Sequence, residues 1–256
     1  MDLNYVEAGE GFPLLLIHGF CNDLTLWDEV RDELAKHFKV ITIDLPGHGK
    51  SPLLEGEVSF PRVANELADW LKEKGWYEVI VVGHSMGGYV TLHLTDQHPE
   101  MVKAFGLFHS NANEDSTSRK EGRLKSIEIV KQQGMGAFIE SFIPFLFFHE
   151  RIEELMPMID KSTKMALQTS AETHIAFTQA MHDRESKFHL LKSAMPKLLI
   201  AGDHDTAVPF DMSFKMMRAA KHATTHVMYD TGHMGMLERP EEATKTLLDF
   251  ANSVTA

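Results

Sequence analysis

Apolar positions along this chain follow two alternating patterns. Short runs that are apolar almost throughout lie at "LNYVEA" (3–8), "PLLLIHG" (13–19), "KVITIDL" (39–45), "EVIVVGH" (78–84), "VKAFGLFH" (102–109), "KLLIAGD" (197–203) and "THVMYD" (225–230). Such runs predict strands, and their continuous hydrophobicity predicts strands covered on both faces. Between them, apolar residues recur at helical spacing over 24–38, 59–75, 86–98, 210–221 and 239–253. Strand and helix in alternation predict an α/β fold, a mostly parallel sheet with helices on both faces. The rhythm stops between about Asn111 and Ser193. A polar stretch, "NANEDSTSRKEG", leads into helical patterns near 119–133, 135–148, 150–168 and 170–183, with no convincing strand. The expected organisation is a core of residues 1–110 and 194–256, interrupted by a helical insertion over 111–193. That insertion reads either as a cap over a site or as a plain helical extension.

Composition removes several classes. The chain has 256 residues, compatible with one α/β domain, and 37 acidic residues against 25 basic ones give a formal net charge of −12. Nucleic acid, which needs a basic face, is not an expected partner, and neither is an anionic membrane. The single cysteine, Cys21, rules out an internal disulfide. The N-terminal stretch has no basic segment followed by an apolar run, and the longest apolar stretch, Phe142–Phe148, is too short to span a bilayer. A soluble, cytoplasmic monomer or homodimer is the expectation.

The chemistry-bearing segment is Gly83-His84-Ser85-Met86-Gly87, a G-x-S-x-G between a β-branched run and a helical pattern. A sharp strand-to-helix turn at that place projects the serine hydroxyl above the sheet, at the N-terminus of the next helix. The bland alternative is a glycine-rich turn with an incidental serine. A serine nucleophile needs a general base, and the base needs an orienting acid, in the chain order serine, acid, histidine for this turn type. Asp203 and Asp205 both follow the run 197–203. Asp205 lies further into the loop and is the better candidate, with Asp203 expected to cap the turn. His233, in the glycine loop "YDTGHMG", follows the last strand, whereas His226 lies in that strand and His222 before it. An oxyanion hole needs two backbone N–H donors. Met86 should supply one and Phe20 the other, with Cys21 as second choice. His18 is expected to be structural. No H-E-x-x-H motif, Cys/His cluster, dinucleotide fingerprint or P-loop occurs, so neither a metal nor a cofactor is expected.

Taken together, "HGF" (18–20), "DLPGHGKS" (44–51), "GHSMGG" (83–88), "GDHDTAVP" (202–209) and "GHM" (232–234) resemble the α/β-hydrolase superfamily, in its order and over nearly the whole chain. The resemblance implies that Asp205 rather than Asp203 is the acid, that His233 is the base, and that 111–193 is a lid. Within the superfamily the chain looks most like small, lidded, cofactor-free bacterial carboxylesterases, and "AMHDRESKFHLLKSAMPKLLIAGDHD" (180–205) also resembles enol-lactonases. The family usually begins with an antiparallel strand pair; here the first edge strand is expected to be short or absent. A serine at position 85 argues against the aspartate-using dehalogenases and epoxide hydrolases of this fold.

The expected partner is a small ester or lactone. Phe142, Phe145 and Phe148 either line an apolar pocket or pack as core, and Trp27 and Val208 are further pocket candidates. Arg123, Arg151 and Arg184 either bind a substrate carboxylate or form surface salt bridges. Two rival functions stay open: a lyase, C–C bond hydrolase or perhydrolase using the same residues, and a ligand-binding protein on a hydrolase scaffold.

Overall fold

The computed structural model describes all residues, 1–256. Seven strands form one sheet: β1 (Tyr5–Ala8), β2 (Pro13–Ile17), β3 (Lys39–Ile43), β4 (Val79–His84), β5 (Val102–Phe108), β6 (Lys197–Gly202) and β7 (Ala223–Met228). Their order across the sheet is β1-β3-β2-β4-β5-β6-β7. Only β1 runs antiparallel, against β3; every other pair is parallel. The shortened edge expected from the sequence is therefore this one four-residue strand. All six positions of the central β4 are buried, whereas β7 at the edge exposes Thr224 and Thr225. Continuous hydrophobicity in the central runs thus reflects helices on both faces.

The helices are α1 (Asp28–Leu34), α2 (Phe60–Glu73), α3 (Met86–Gln97), α4 (Thr117–Phe145), α5 (Ile152–Ala166), α6 (Ala171–Asp183), α7 (Phe210–Ala219), α8 (Gly235–Glu238) and α9 (Pro240–Thr255). Pro61 in the first turn of α2 suits a position whose N–H has no helical acceptor. Phe60, Val63, Ala64, Leu67 and Leu71 of α2 are buried at the i, i+3, i+4, i+7, i+11 positions of one face. The next helix, α3, is buried from Met86 to Thr95 on every side because it lies between the sheet and α2. No helix is long and apolar enough to cross a membrane.

Two elements differ from the sequence expectation. The helix expected over 24–38 divides into a 3₁₀ turn, Leu24–Trp27, and the short α1. Asp23 caps the turn by accepting the Thr25 N–H at 2.9 Å, and the chain must already turn after Leu34 to enter β3 at Lys39. The strand expected over 225–230 lies two residues earlier, because its register pairs Ala223–Met228 with Lys197–Gly202 and Asp230 takes a left-handed φ of 48°. The break expected between 119–133 and 135–148 is present: Gly134 (φ 81°, ψ 174°) is non-helical and divides α4 into two helical halves. Glycine tolerates that φ at no steric cost.

Strand order reverses at β2, which has β3 on one side and β4 on the other. Connections leave the sheet on opposite faces there, and the crevice at the carboxyl ends of the strands is where open α/β sheets place ligands. Phe20 follows β2, Ser85 follows β4, His109 follows β5, Asp205 follows β6 and His233 follows β7. Helices α4, α5 and α6 are all inserted between β5 and β6.

Candidate active site

Ser85 stands between β4 and α3 with φ 51° and ψ −116°, a conformation that costs an L-residue of order 1–3 kcal/mol. The surroundings hold it there. Its N–H donates to the Phe108 carbonyl at 3.0 Å, and its carbonyl accepts the Ser110 hydroxyl at 2.6 Å. Glycines let the backbones close in. A Cβ on Gly83 would lie 2.3 Å from the Gly87 carbonyl, and one on Gly87 would lie 2.5 Å from the His18 oxygen. Any side chain at either position has to push the turn away from the sheet. This is the physical content of the G-x-S-x-G spacing.

Asp205 and His233 meet across the ends of β6 and β7. Asp205 Oδ2 accepts from His233 Nδ1 at 2.8 Å, and Asp205 Oδ1 accepts the N–H groups of Ala207 (2.8 Å) and Val208 (2.7 Å). The turn-type bonds expected of Asp203 therefore belong to Asp205. Asp203 instead accepts the Thr231 N–H at 3.2 Å, tying the two loops together. Burial alone would raise the Asp205 carboxyl, but the charges and hydrogen bonds of His233 and His109 override it and hold the group well below the usual carboxylate range. His226 pairs with Glu242 at 2.7 Å on the surface, and His222 is exposed; neither joins the cluster.

His109, which its sequence context does not single out, joins this cluster. It is fully buried, and its Nδ1 lies 3.1 Å from Asp205 Oδ2 and 3.1 Å from the Gly202 N–H. Burial lowers its basicity. One ring nitrogen serves only one of those neighbours at a time. With the proton on Nδ1 it donates to Asp205; without it, it accepts from Gly202. Its only sequence signal was a histidine at the end of a strand next to the nucleophile's strand. His109, Asp205 and His233 bring three groups of metal-ligand type within 4.8 Å, and the Asp205 oxygen is already shared between both imidazoles.

The loop carrying His233 is clamped. Glu238, buried, accepts N–H groups from Gly232 and Met234 at 3.1 Å and from Phe148 at 3.2 Å. The His233 N–H donates to the Leu146 carbonyl at 2.6 Å, and the Thr206 hydroxyl donates to the Phe145 carbonyl at 2.6 Å. The end of α4 therefore anchors both the acid loop and the histidine loop.

Phe20 and Met86 are buried, and their backbone N–H groups donate to no acceptor within the protein. Buried unpaired N–H groups are rare and call for an explanation. That of Met86 is one of the free donors at the start of α3. Cys21, the second choice for a donor, is fully buried with φ 57°, and burial pushes its thiol up. His18 accepts the Leu45 N–H at Nε2 (2.9 Å), so its Nδ1 carries the proton donated to the Gly19 carbonyl (2.7 Å); it holds the Phe20 loop against the 44–51 loop.

Ser85 and His233 line one cavity of about 380 Å³. Phe20, Phe142, Phe145 and Val208 line it too, with Phe145 62 % exposed at its mouth. The cavity also takes Tyr89, Phe138 and Met181, which the sequence reading did not select. Trp27 and Phe148 lie elsewhere. Trp27 is fully buried edge-on against Phe108, and Phe148 packs on His204 with ring centroids 4.2 Å apart. Trp27 belongs to the hydrophobic core, and Phe148 is buried outside it beneath the exposed His204. Of the three arginines considered, Arg151 pairs with Glu154 (2.6 Å) and Arg184 with the buried Asp115 (2.7 Å), which Arg123 also reaches at 3.1 Å. Only Arg123 of the three lines the cavity, and it is joined there by Arg119.

This architecture has many known counterparts. A thermophilic esterase from Thermogutta terrifontis, solved with malate bound, superposes with a TM-score of 0.94 at 30% identity, covering 99% of this chain and 94% of that one. The pimeloyl-[acyl-carrier protein] methyl ester esterase of Vibrio vulnificus is 26% identical over 264 residues, 98% of each chain. The (E)-2-((N-methylformamido)methylene)succinate hydrolase of Acinetobacter baylyi is 26% identical over 244 residues, 95% of this chain and 92% of the other. The family described as alpha/beta hydrolase fold matches residues 13–240, and with a sheet of that order beneath it the chain belongs to this family.

Proposed function

We propose that this protein is a serine hydrolase that cleaves a small carboxylic ester or lactone through an acyl-Ser85 intermediate. The observation that carries the reading is the Asp205–His233 pair at 2.8 Å, opening on the same cavity as a serine held in a strained strand-to-helix turn. Similarity to an esterase and a methyl ester esterase supports the same class of bond.

In this reading Asp205 keeps the His233 proton on Nδ1, so Nε2 is free to act as base. Nε2 takes the Ser85 proton as Oγ attacks the ester carbonyl. The developing oxyanion is received by the N–H groups of Phe20 and Met86, which need no reorganisation because nothing else occupies them. His233 then gives its proton to the leaving alcohol, and the carbonyl re-forms as acyl-Ser85. Water attacks that ester while His233 takes a proton from it, and the acid departs with Ser85 restored. His109 acts as a positioning residue, a second imidazole bearing on the Asp205 carboxylate. Helices α4–α6 act as the lid over this site, anchored through Leu146 and Phe145 to the two catalytic loops.

Acid quenching during turnover of 4-nitrophenyl butyrate, followed by intact and peptide mass measurement, is expected to find a butyryl group on the peptide containing Ser85. Turnover with the acyl group on another residue, or with no adduct under burst conditions, would contradict the assignment.

A further inference from the structure

The kinked helix α4 builds two different walls of the cavity. Ser118, Arg119, Gly122, Arg123 and Ser126 line it before Gly134, and Phe138, Phe142 and Phe145 line it after. The first set falls at i, i+1, i+4, i+5 and i+8, one helical face about 12 Å long. The second falls at i, i+4 and i+7, again one face. A straight helix would carry its stripe past the cavity, so the break at Gly134 lets both halves look into the same space.

The charge balance of the first wall is unusual for this chain. None of the residues lining the cavity is acidic, although the protein has 37 acidic residues and a formal net charge of −12. Arg119 forms no ion pair; its guanidinium donates to the Ala207 carbonyl and keeps further N–H groups. Arg123 shares one carboxylate, Asp115, with Arg184, whose guanidinium stacks 4.0 Å over the Tyr89 ring. Of the two arginines on this wall, Arg119 thus has no carboxylate partner and Arg123 shares its single one with Arg184. His174, whose Nε2 lies 3.0 Å from the Ser126 hydroxyl, adds no charge at neutral pH, because burial and then the charge of Arg123 lower it to about 4.

We propose that Arg119, with Arg123 beside it, forms an anion subsite, and that the substrate is an ester or lactone carrying a carboxylate. Its apolar body lies on Phe138 and Phe142, its carboxylate is taken by the Arg119 fork, and Ser118 and Ser126 offer hydroxyl donors along the same face. A guanidinium recognises a carboxylate with paired N–H donors, which a lysine does not match. This inference rests on the acyl-transfer reading of Ser85 and names the substrate class that the same site selects.

The test compares kcat/KM for the 4-nitrophenyl monoester of glutaric acid with that for 4-nitrophenyl pentanoate, which has the same number of acyl carbons. The native protein is expected to prefer the monoester about tenfold or more, and Arg119→Met to shift that ratio toward one by about 10- to 100-fold, mainly through KM. Arg119→Lys should fall between them. Free glutarate should compete with the pentanoate ester in the native protein and lose that competition in Arg119→Met. Because each ratio is taken on one preparation, partial misfolding cancels. Equal losses on both esters in Arg119→Met would assign Arg119 to holding the Ala207 loop and overturn the subsite. Good hydrolysis of the pentanoate ester with no preference for the monoester would overturn the subsite while leaving the acyl-transfer reading intact. Failure to hydrolyse either ester in the native protein would remove that reading and the subsite with it.

Discussion

Replacing Ser85 with alanine is expected to lower kcat on a short 4-nitrophenyl ester by about 10⁴- to 10⁶-fold. In the proposed mechanism the substitution deletes the one oxygen that bonds covalently to substrate. What stays behind is the pair of N–H donors on Phe20 and Met86 and the cavity itself, which sustain a small rate above that in water. KM should change little, since Ser85 occupies a small part of a cavity lined mainly by apolar side chains. The fold should tolerate the change. The Ser85 hydroxyl has no hydrogen-bond partner in the protein, and alanine carries the same Cβ strain at φ 51° as serine does. A steady-state assay together with thermal unfolding separates the two quantities. An active, normally folded Ser85→Ala protein would place the chemistry on another residue.

Asp205→Asn is the second large effect, with kcat expected to fall by about 10⁴-fold. Oδ1 of Asp205 is committed to the Ala207 and Val208 N–H groups, so the asparagine oxygen should keep that place. Its NH₂ group then faces His233 Nδ1 and accepts nothing. His233 is driven to the tautomer with the proton on Nε2, where it is useless as a base. His109 loses the same acceptor. Stability should respond too, with a defined sign. The native carboxylate is held below its ordinary value, so it contributes stability that is fully present above pH of about 4–5 and is lost as the pH falls through the depressed value. The gap in unfolding free energy between native protein and Asp205→Asn should therefore be widest at neutral pH and narrow in acid. A gap that widens on acidification would show that Asp205 is not held ionised by its two histidines.

Much of this site was legible from residue order. Ser85, Asp205, His233 and Phe20 each follow an apolar run, and a parallel sheet brings the carboxyl ends of such runs to one edge without any detailed packing knowledge. Gly134 marked a break in a helical pattern and is a break. What escaped was set by which way side chains face once elements are packed. Trp27 and Phe148 are as aromatic as Phe142, yet only the last opens on the cavity; hydrophobicity does not distinguish a wall from a core. His109 looked like the end of a strand, and only the β5–β6 pairing brings it against Asp205. Nothing in the sequence around Arg119 sets it apart from Arg123, Arg151 and Arg184. Its significance lies in having no carboxylate partner, a property of neighbours distant in sequence. The strand placed two residues too late at 225–230 failed for a similar reason, since register against β6 rather than local hydrophobicity decides its bounds.

Whether Ser85 is an activated nucleophile is read from its reaction with a fluorophosphonate. A fluorophosphonate reacts with a serine made nucleophilic by a neighbouring base and stays attached. One phosphonyl group per chain is expected, located by peptide mass measurement on Ser85, with labelling abolished in Ser85→Ala and slowed strongly in Asp205→Asn. A natively folded protein that stays unlabelled, or one labelled equally well after Ser85 is replaced, would contradict Ser85 as the nucleophile.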